Sequence, residues 1–385
     1  MFRSALAKRL YKAVGITALA FALSSVLLAP SSFSASTLVS APEKNDFEMT
    51  DFYAIVADSR LVRTLDPDIV IVNIDNCDRN AIADVLEAVS LCNPAVVGLD
   101  VMFSDARDDD DRLLAAIAEC PNLILPAGVT TADDNRFILS DTVFFFCEVK
   151  EWPIGVTNLP TKYSRGTVRE FATEFAMADN SIALPSFATA VAMKYDPEAT
   201  GRLKARRHHT ELINYPSIDY RTFNPDELAD HAHELTDRIV LIGALTEQPD
   251  LHPTPIHSQL PGVAIHARAI STILSGQYLT RAAQPVNWLI AFVLCMIVVT
   301  TFISLKGNTR GLIMRLLQIG LLYLIIVCGY ICYVNYNCII DLSYALLMLT
   351  FGLFACDVWN GCAAIGQNLY SRFLNKIPRT IFRNA

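Results

Sequence analysis

The stretch Asp68-Ile-Val-Ile-Val-Asn-Ile-Asp75 decides the fold. It is a short apolar run rich in β-branched residues, which reads as a buried strand. Asp78 then stands where a helix N-cap belongs, and Ile82, Val85, Leu86 and Val89 give one apolar face to a helix ending near Leu91. Pro94–Asp100 reads as a second strand. Asp108–Asp111 leads into a helix through Glu119, with acidic residues favouring its N-terminal dipole. Asn122–Pro126 is a third strand. Strand, helix, strand, helix, strand in this order implies parallel pairing through right-handed crossovers.

Farther out, Glu43–Arg63 reads as a helix. Thr142–Glu148, Gly155–Leu159 and Glu211–Tyr215 read as strands, and Ile182–Tyr195 as a helix. Arg238–Ala244 is another buried strand, and Val263–Leu274 a helix stopped near Gly276. The basic run Lys204-Ala205-Arg206-Arg207 reads as a solvated loop. With a net charge of -8, the chain does not suit nucleic acid, which needs a basic surface.

Only 18% of the 385 residues are charged. Soluble domains carry roughly 25%, so the composition leans towards the membrane. Arg3, Lys8, Arg9 and Lys12 precede an apolar segment at Val14–Pro30, the pattern of a signal peptide or signal anchor. Small-residue cleavage motifs at Ser32/Ser34 or Ser34/Ser36 are present; the expectation is an uncleaved anchor. Three further apolar stretches, 286–305, 316–334 and 338–356, are each close to the ~20 residues that span hydrocarbon. Lys306, Arg310 and Arg315 lie between the first two of these, and Arg372, Lys376, Arg379 and Arg383 follow the last. The positive-inside rule then gives a cytoplasmic N-terminus (1–12), an anchor (13–34), an exported domain (35–285), a cytoplasmic loop (306–315) and a cytoplasmic tail (357–385). The expected fold class is α/β: an exported domain with a mostly parallel sheet and helices on its faces, plus one N-terminal and three C-terminal transmembrane helices. Asp341 and Asp357 are expected at the ends of the last span.

The order of these segments resembles the type-2 CHASE domain, an extracellular sensory domain attached to bacterial cyclases and histidine kinases. The resemblance is carried by DIVIVNID (68–75), VVGLDVMFS (96–104), NLILP (122–126), Gly155-Val-Thr-Asn158, Gly166-Thr-Val-Arg169, RIVLIGAL (238–245), DLHPTPI (250–256), LPGVAIHARAI (260–270) and ILSGQYLTR (273–281). It runs from about residue 45 to 285. The resemblance implies sensing. No output domain is expected behind the spans, so the signal would pass to an inner-membrane or cytoplasmic signalling partner, with membrane lipid as surroundings and a homodimer as a compatible assembly.

Ligands of open parallel sheets bind outside the carboxyl ends of the strands. Asp75 and Asp100 each end a strand, Ser104 lies just beyond, and the loop after residue 244 carries Asp250, His252 and His257. With Asn158 these are the candidate ligand contacts, for a polar ligand or a metal. The competing reading is that Asp75 and Asp100 cap helices and bond loop amides. His266 is expected to be packed. No GxSxG, HExxH, P-loop or GxGxxG motif occurs, so catalysis, cofactors and a resident metal are not expected; a hydrolase using Asp75 and Asp100 and a structural envelope protein remain alternatives.

Of the ten cysteines, Cys77, Cys92, Cys120 and Cys147 fall in the exported part. Cys77 and Cys92 flank a helix ~20 Å long, too far apart to pair. Cys92 and Cys120 each follow a helix and precede a strand, so a Cys92–Cys120 disulfide is expected.

Overall fold

The computed structural model describes residues 2–28, 48, 50–103, 105–107, 110–132, 136–140, 153–161, 166–178, 183–246, 250–307 and 309–376. The chain divides into two compact units, Glu43–Thr280 and the two flanking segments Met1–Pro42 with Arg281–Ala385.

The first unit is built on a six-stranded sheet. Its strands are β1 (Thr64–Asn73), β2 (Val96–Leu99), β3 (Leu123–Ala127), β4 (Ile154–Val156), β5 (Ile218–Phe223) and β6 (Ile239–Gly243). They lie in the order β5-β1-β6-β2-β3-β4, every pair parallel. The helices of this unit are α2 (Asp51–Arg60), α3 (Arg79–Leu91), α4 (Asp110–Glu119), α5 (Phe187–Tyr195), α6 (Pro197–Ala205), the single turn α7 (Ala232–Leu235) and α8 (Gly262–Ser275); α1 belongs to the other unit.

Period-two alternation sorts the strand residues between two cores. Val70, Val72, Val97, Leu99, Leu125, Val240 and Ile242 face α3 and α4. Ile69, Ile71, Val96, Ile124, Ile239 and Leu241 face α5, α6 and α8. Because both faces are buried, these strands carry unbroken apolar runs. The expected capping of α3 is present: Asp78 accepts from the Ala81 N–H at 2.8 Å, and Ile82, Val85, Leu86 and Val89 are buried. Leu86 is fully buried, and truncating such a leucine to alanine costs about 2–5 kcal/mol.

Several elements differ from the sequence expectation. Strand β5 was not anticipated. It is a sheet edge with a largely half-exposed Ile-Asp-Tyr-Arg-Thr-Phe sequence, so no apolar run marks it. Its pairing with β1 shifts register between Leu65 and Val70, around Pro67, which has no N–H to give the ladder. Helix α5 starts at Phe187 rather than Ile182. Pro185 holds Leu184 extended, and the Ser186 hydroxyl caps the helix through the Thr189 N–H. Arg206 of the basic run is not solvated: it pairs with Glu211 at 2.6 Å and lies 4.5 Å over the Tyr278 ring. The expected strand 142–148 lies outside the described residues. So does Cys147.

The Cys92–Cys120 expectation is corrected. Both are free, buried thiols. Cys92 Sγ donates to the Ala88 carbonyl one helical turn back, and Cys120 Sγ turns to the Pro121 carbonyl. Sharing an edge of the sheet does not aim two Cβ vectors at each other.

In the other unit are α1 (Phe2–Leu28), α9 (Gln284–Ser304), α10 (Arg310–Tyr336) and α11 (Leu342–Lys376). Three of these helices, over Gln284–Ser304, Arg310–Tyr336 and Leu342–Ser371, are long and apolar enough to cross a membrane. Small residues let helices approach closely. Ala13, Ile16 and Ala20 of α1 pack with Ala291, Cys295 and Val299 of α9 and with Ala355 and Cys356 of α11. A Cβ at Gly352 would meet Cys295 Sγ at 3.2 Å. The last helix begins later and runs farther than 338–356, because Cys338–Ile339 form a short strand and Asp341 accepts from the Ser343 N–H at 2.9 Å. Asp357 is therefore an exposed mid-helix residue, not a terminal one.

Candidate functional site

Register sets the carboxyl edge of the sheet. Asn73 pairs with Gly243 and Leu99 with Ile242, so the residues that follow emerge level with one another. Ile74 N–H bonds Gly243 O at 3.2 Å, and Asp100 N–H bonds Ile242 O at 2.8 Å. A cavity of about 750 Å³ opens there. Residues just past β1 (Ile74), β2 (Asp100, Met102), β3 (Gly128, Thr130), β4 (Thr157, Asn158) and β6 (Ala244) line it, together with Asp250, His252 and, from α8, His266.

The expected site residues separate into groups. Asp100, Asn158, Asp250 and His252 share the cavity. Asn158 serves the scaffold: its side-chain oxygen accepts from Val129 N–H at 2.8 Å and its amide donates to Val129 O at 3.0 Å, latching β4 to the segment after β3. Asp75 is not among the lining residues. It accepts from Leu245 N–H, Thr246 N–H and the Thr246 hydroxyl at 2.9–3.0 Å, fixing the loop after β6. Burial pushes its carboxyl up, and the bonds from Thr246 and Leu245 outweigh that, leaving it below the ordinary carboxylate range. His257 also stands apart; its backbone pairs with Thr254, and burial followed by the Arg268 charge lowers its ring pKa. Ser104 lies outside the described residues.

Asp250 sits at the start of α8. Its carboxylate takes the Gly262 N–H at 3.2 Å and meets His252 Nε2 at 3.2 Å. A negative group suits a helix N-terminus. A Cβ at Gly262 would fall 2.6 Å from that carboxylate, so a larger residue there would push the carboxylate away. One turn on, His266 faces the same cavity. It is 4% exposed, its ring edge meets Phe187 at 5.1 Å, and burial pushes it down to about 4. Asp100 is pushed up to about 8, by burial first and then by the charge of Asp250. Among the described residues no cluster of three or more ligating side chains could hold a metal ion.

His266 is packed against Phe187, as expected, and also lines the cavity, which the sequence reading did not assign to it. Its place four residues after Gly262, on the first inward turn of α8, was the available signal. Behind the cavity, Val168 N–H bonds Pro253 O at 2.8 Å in the loop that carries Asp250 and His252. The next residue, Arg169, makes a buried two-point pair with Asp51 of α2, Nε–Oδ1 2.8 Å and Nη2–Oδ2 2.6 Å.

A parallel sheet covered by helices on both faces, with a polar cleft at its carboxyl edge, defines an open α/β domain, here in a chain that also carries candidate membrane-crossing helices. The family model of the CHASE2 domain matches residues 33–305, and the chain belongs to that family of extracellular sensory domains. Nothing among curated proteins or solved structures matches it.

Proposed function

We propose that this protein is a membrane-anchored sensor whose 35–285 segment lies outside the bacterial inner membrane, on the periplasmic side, and binds its signal in the cleft at the strand ends. In this reading α1 is a retained anchor, and α9, α10 and α11 are spans. The change of state passes through the spans to an inner-membrane or cytoplasmic signalling partner, with a homodimer as the natural assembly. The carrying observation is the cavity of about 750 Å³ at the carboxyl edge of the sheet of a CHASE2 chain. Such a volume fits a small molecule.

The wiring behind the cleft supports transmission. The loop of Asp250 and His252 is bonded to Val168, and Arg169 grips Asp51 in the first turn of α2. A ligand that favours one position of that loop biases α2 by its differential affinity. Binding without catalysis is supported by Asp75, whose carboxylate is occupied by loop donors, so that it does not form an acid–base pair with Asp100 in the cleft.

The test is ligand-dependent hydrogen exchange on the full chain in nanodiscs, with a panel of small polar metabolites. A true ligand protects the segments around residues 100–102, 128–130 and 250–266, and alters exchange in 51–60. Gly128→Leu abolishes both effects: a Cβ there meets Met102 and Ser140 at ordinary contact distance, and the larger side chain fills the cavity. Protection that survives Gly128→Leu would move the binding site elsewhere.

A further inference from the structure

The cleft is lined by an unbalanced set of charges. Its described lining includes the carboxylates of Asp100 and Asp250 and the imidazoles of His252 and His266, and no lysine or arginine. Two of these groups are not used up by the fold. The Asp100 carboxylate accepts no hydrogen bond from any described residue. His266, 4% exposed, has a backbone hydrogen bond with Thr157 at one ring nitrogen, and the other nitrogen has no partner among the described residues. The ring is neutral at pH 7, so that nitrogen is an acceptor. Buried polar groups in folded proteins are nearly always paired, and a ligand in the cavity could pair these. The His266 nitrogen is an open acceptor, and Asp100 becomes one when it gives up its proton.

We infer that the cleft binds a small organic cation, a primary ammonium or guanidinium, whose N–H groups bond Asp100 and His266 while Asp250 supplies a second negative charge. This rests on the reading of the cleft as the sensory site. An anion would hold Asp100 protonated and face the Asp250 carboxylate, with no lysine or arginine among the described lining residues. A bare metal ion lacks a ligand cluster among the described residues, and the cavity exceeds an ion's size. Ile74, Ile82, Met102 and Leu159 offer apolar wall for a carbon skeleton.

The chemistry predicts linked proton release. Among the described residues, the titratable groups lining the cavity with Asp100 are Cys77 from the turn after β1, Asp250 and His252 from the loop after β6, and His266 from α8. In the empty cleft at pH 7 Asp100 is mostly protonated, since burial and Asp250 raise it to about 8. A bound cation favours the carboxylate, so binding expels about one proton, and affinity rises about tenfold per pH unit from pH 5 to 7 before levelling off above pH 8.

The experiment titrates the full chain in nanodiscs with 1,4-diaminobutane, ethanolamine and guanidinium chloride, against succinate and glycerol. Heat and protons released into weakly buffered solution are both followed. The expected result is binding of a cationic probe with release of about one proton at pH 7. Asp100→Asn, still folded by its melting curve, loses at least tenfold in affinity and loses the proton. Failure of every cationic probe overturns the inference, as does binding that Asp100→Asn leaves unchanged. If succinate or glycerol binds instead and Gly128→Leu removes that binding, the cation class falls while the sensory cleft stands. If binding of every probe that binds is indifferent to Gly128→Leu, the cleft reading falls with it.

Discussion

At the amino ends of β1 and β6, Asp66 accepts from the Asp68 and Ile69 N–H groups and from Ser271, while Asp68 accepts from the Tyr195 hydroxyl at 3.1 Å and pairs with Arg238 at 3.6 Å. Arg238 also bonds the Pro67 carbonyl. At the carboxyl ends of the same sheet, the Asp100 carboxylate accepts no hydrogen bond from a described residue, and His266 has one open nitrogen. Asp66 and Asp68 are saturated at the amino edge, as Asp75 is at the carboxyl edge, while the Asp100 carboxylate is left open. A carboxylate that serves folding is surrounded by donors. One held for a ligand is left costly, because its donors arrive with the ligand. Removing Asp68 and removing Asp100 should therefore have opposite signs.

The largest effect is expected at a buried, two-point charge pair. Arg169→Ala leaves Asp51 buried and uncompensated, at a cost of about 3–5 kcal/mol. Urea denaturation of the purified chain reads this directly. A cost below about 1 kcal/mol would show that a saturated carboxylate here is not a folding element, and the contrast would break.

Asp100→Asn should stabilise, by about 1–2 kcal/mol at pH 7. The sign follows from linkage. Asp100 is raised from 3.8 to about 8 in the fold, so the folded state holds its proton where the unfolded state has lost it. The wild-type contribution is complete below pH 4 and declines as pH rises towards 8. Asparagine does not titrate. The advantage of Asp100→Asn should thus grow from pH 4 to 8 and vanish near pH 4 in melting curves; an advantage independent of pH would rule out this origin.

Asp68→Ala at the amino edge should destabilise. Its carboxylate and Arg238 are about 40% and 36% exposed, so solvent screens the pair and the cost is about 1 kcal/mol. For a domain of this size that lowers the melting temperature by about 2–4 °C. A gain in stability would erase the difference in sign between Asp68 and Asp100.

The smallest effect is a slope. Burial holds His266 at about 4, below the ordinary 6.5, so the unfolded state takes up a proton between those values and the folded state does not. Stability should fall as pH drops from 6.5 to 4. His266→Asn should flatten that slope. An unchanged slope would mean the ring is not held neutral by the cleft.

Much of the scaffold was legible in the chain itself. Residues 68–75 and 238–244 announce strands buried on both faces, Asp78 announces the cap of α3, and Gly276, at φ +66°, ends α8 where expected. These signals are local: each follows from periodicity, capping or backbone freedom within a few residues. Of the candidate contacts, Asp100, Asn158, Asp250 and His252 line one cavity, and Asp75 does not.

What the chain did not announce depends on neighbours distant in sequence. An edge strand such as β5 buries too little to carry an apolar run. The insertion of β6 between β1 and β2 has no local marker, yet it brings the Asp250 loop over Asp100. Sequence placed Asp75 and Asp100 alike, one at the end of each strand. Only tertiary structure separated them, because the N–H groups of Leu245 and Thr246 reach Asp75, while Asp250 and the buried wall of α8 surround Asp100. Strand identity is fixed by side-chain periodicity along the chain. The role of a carboxylate is fixed by which donors and charges the fold brings within bonding distance of it.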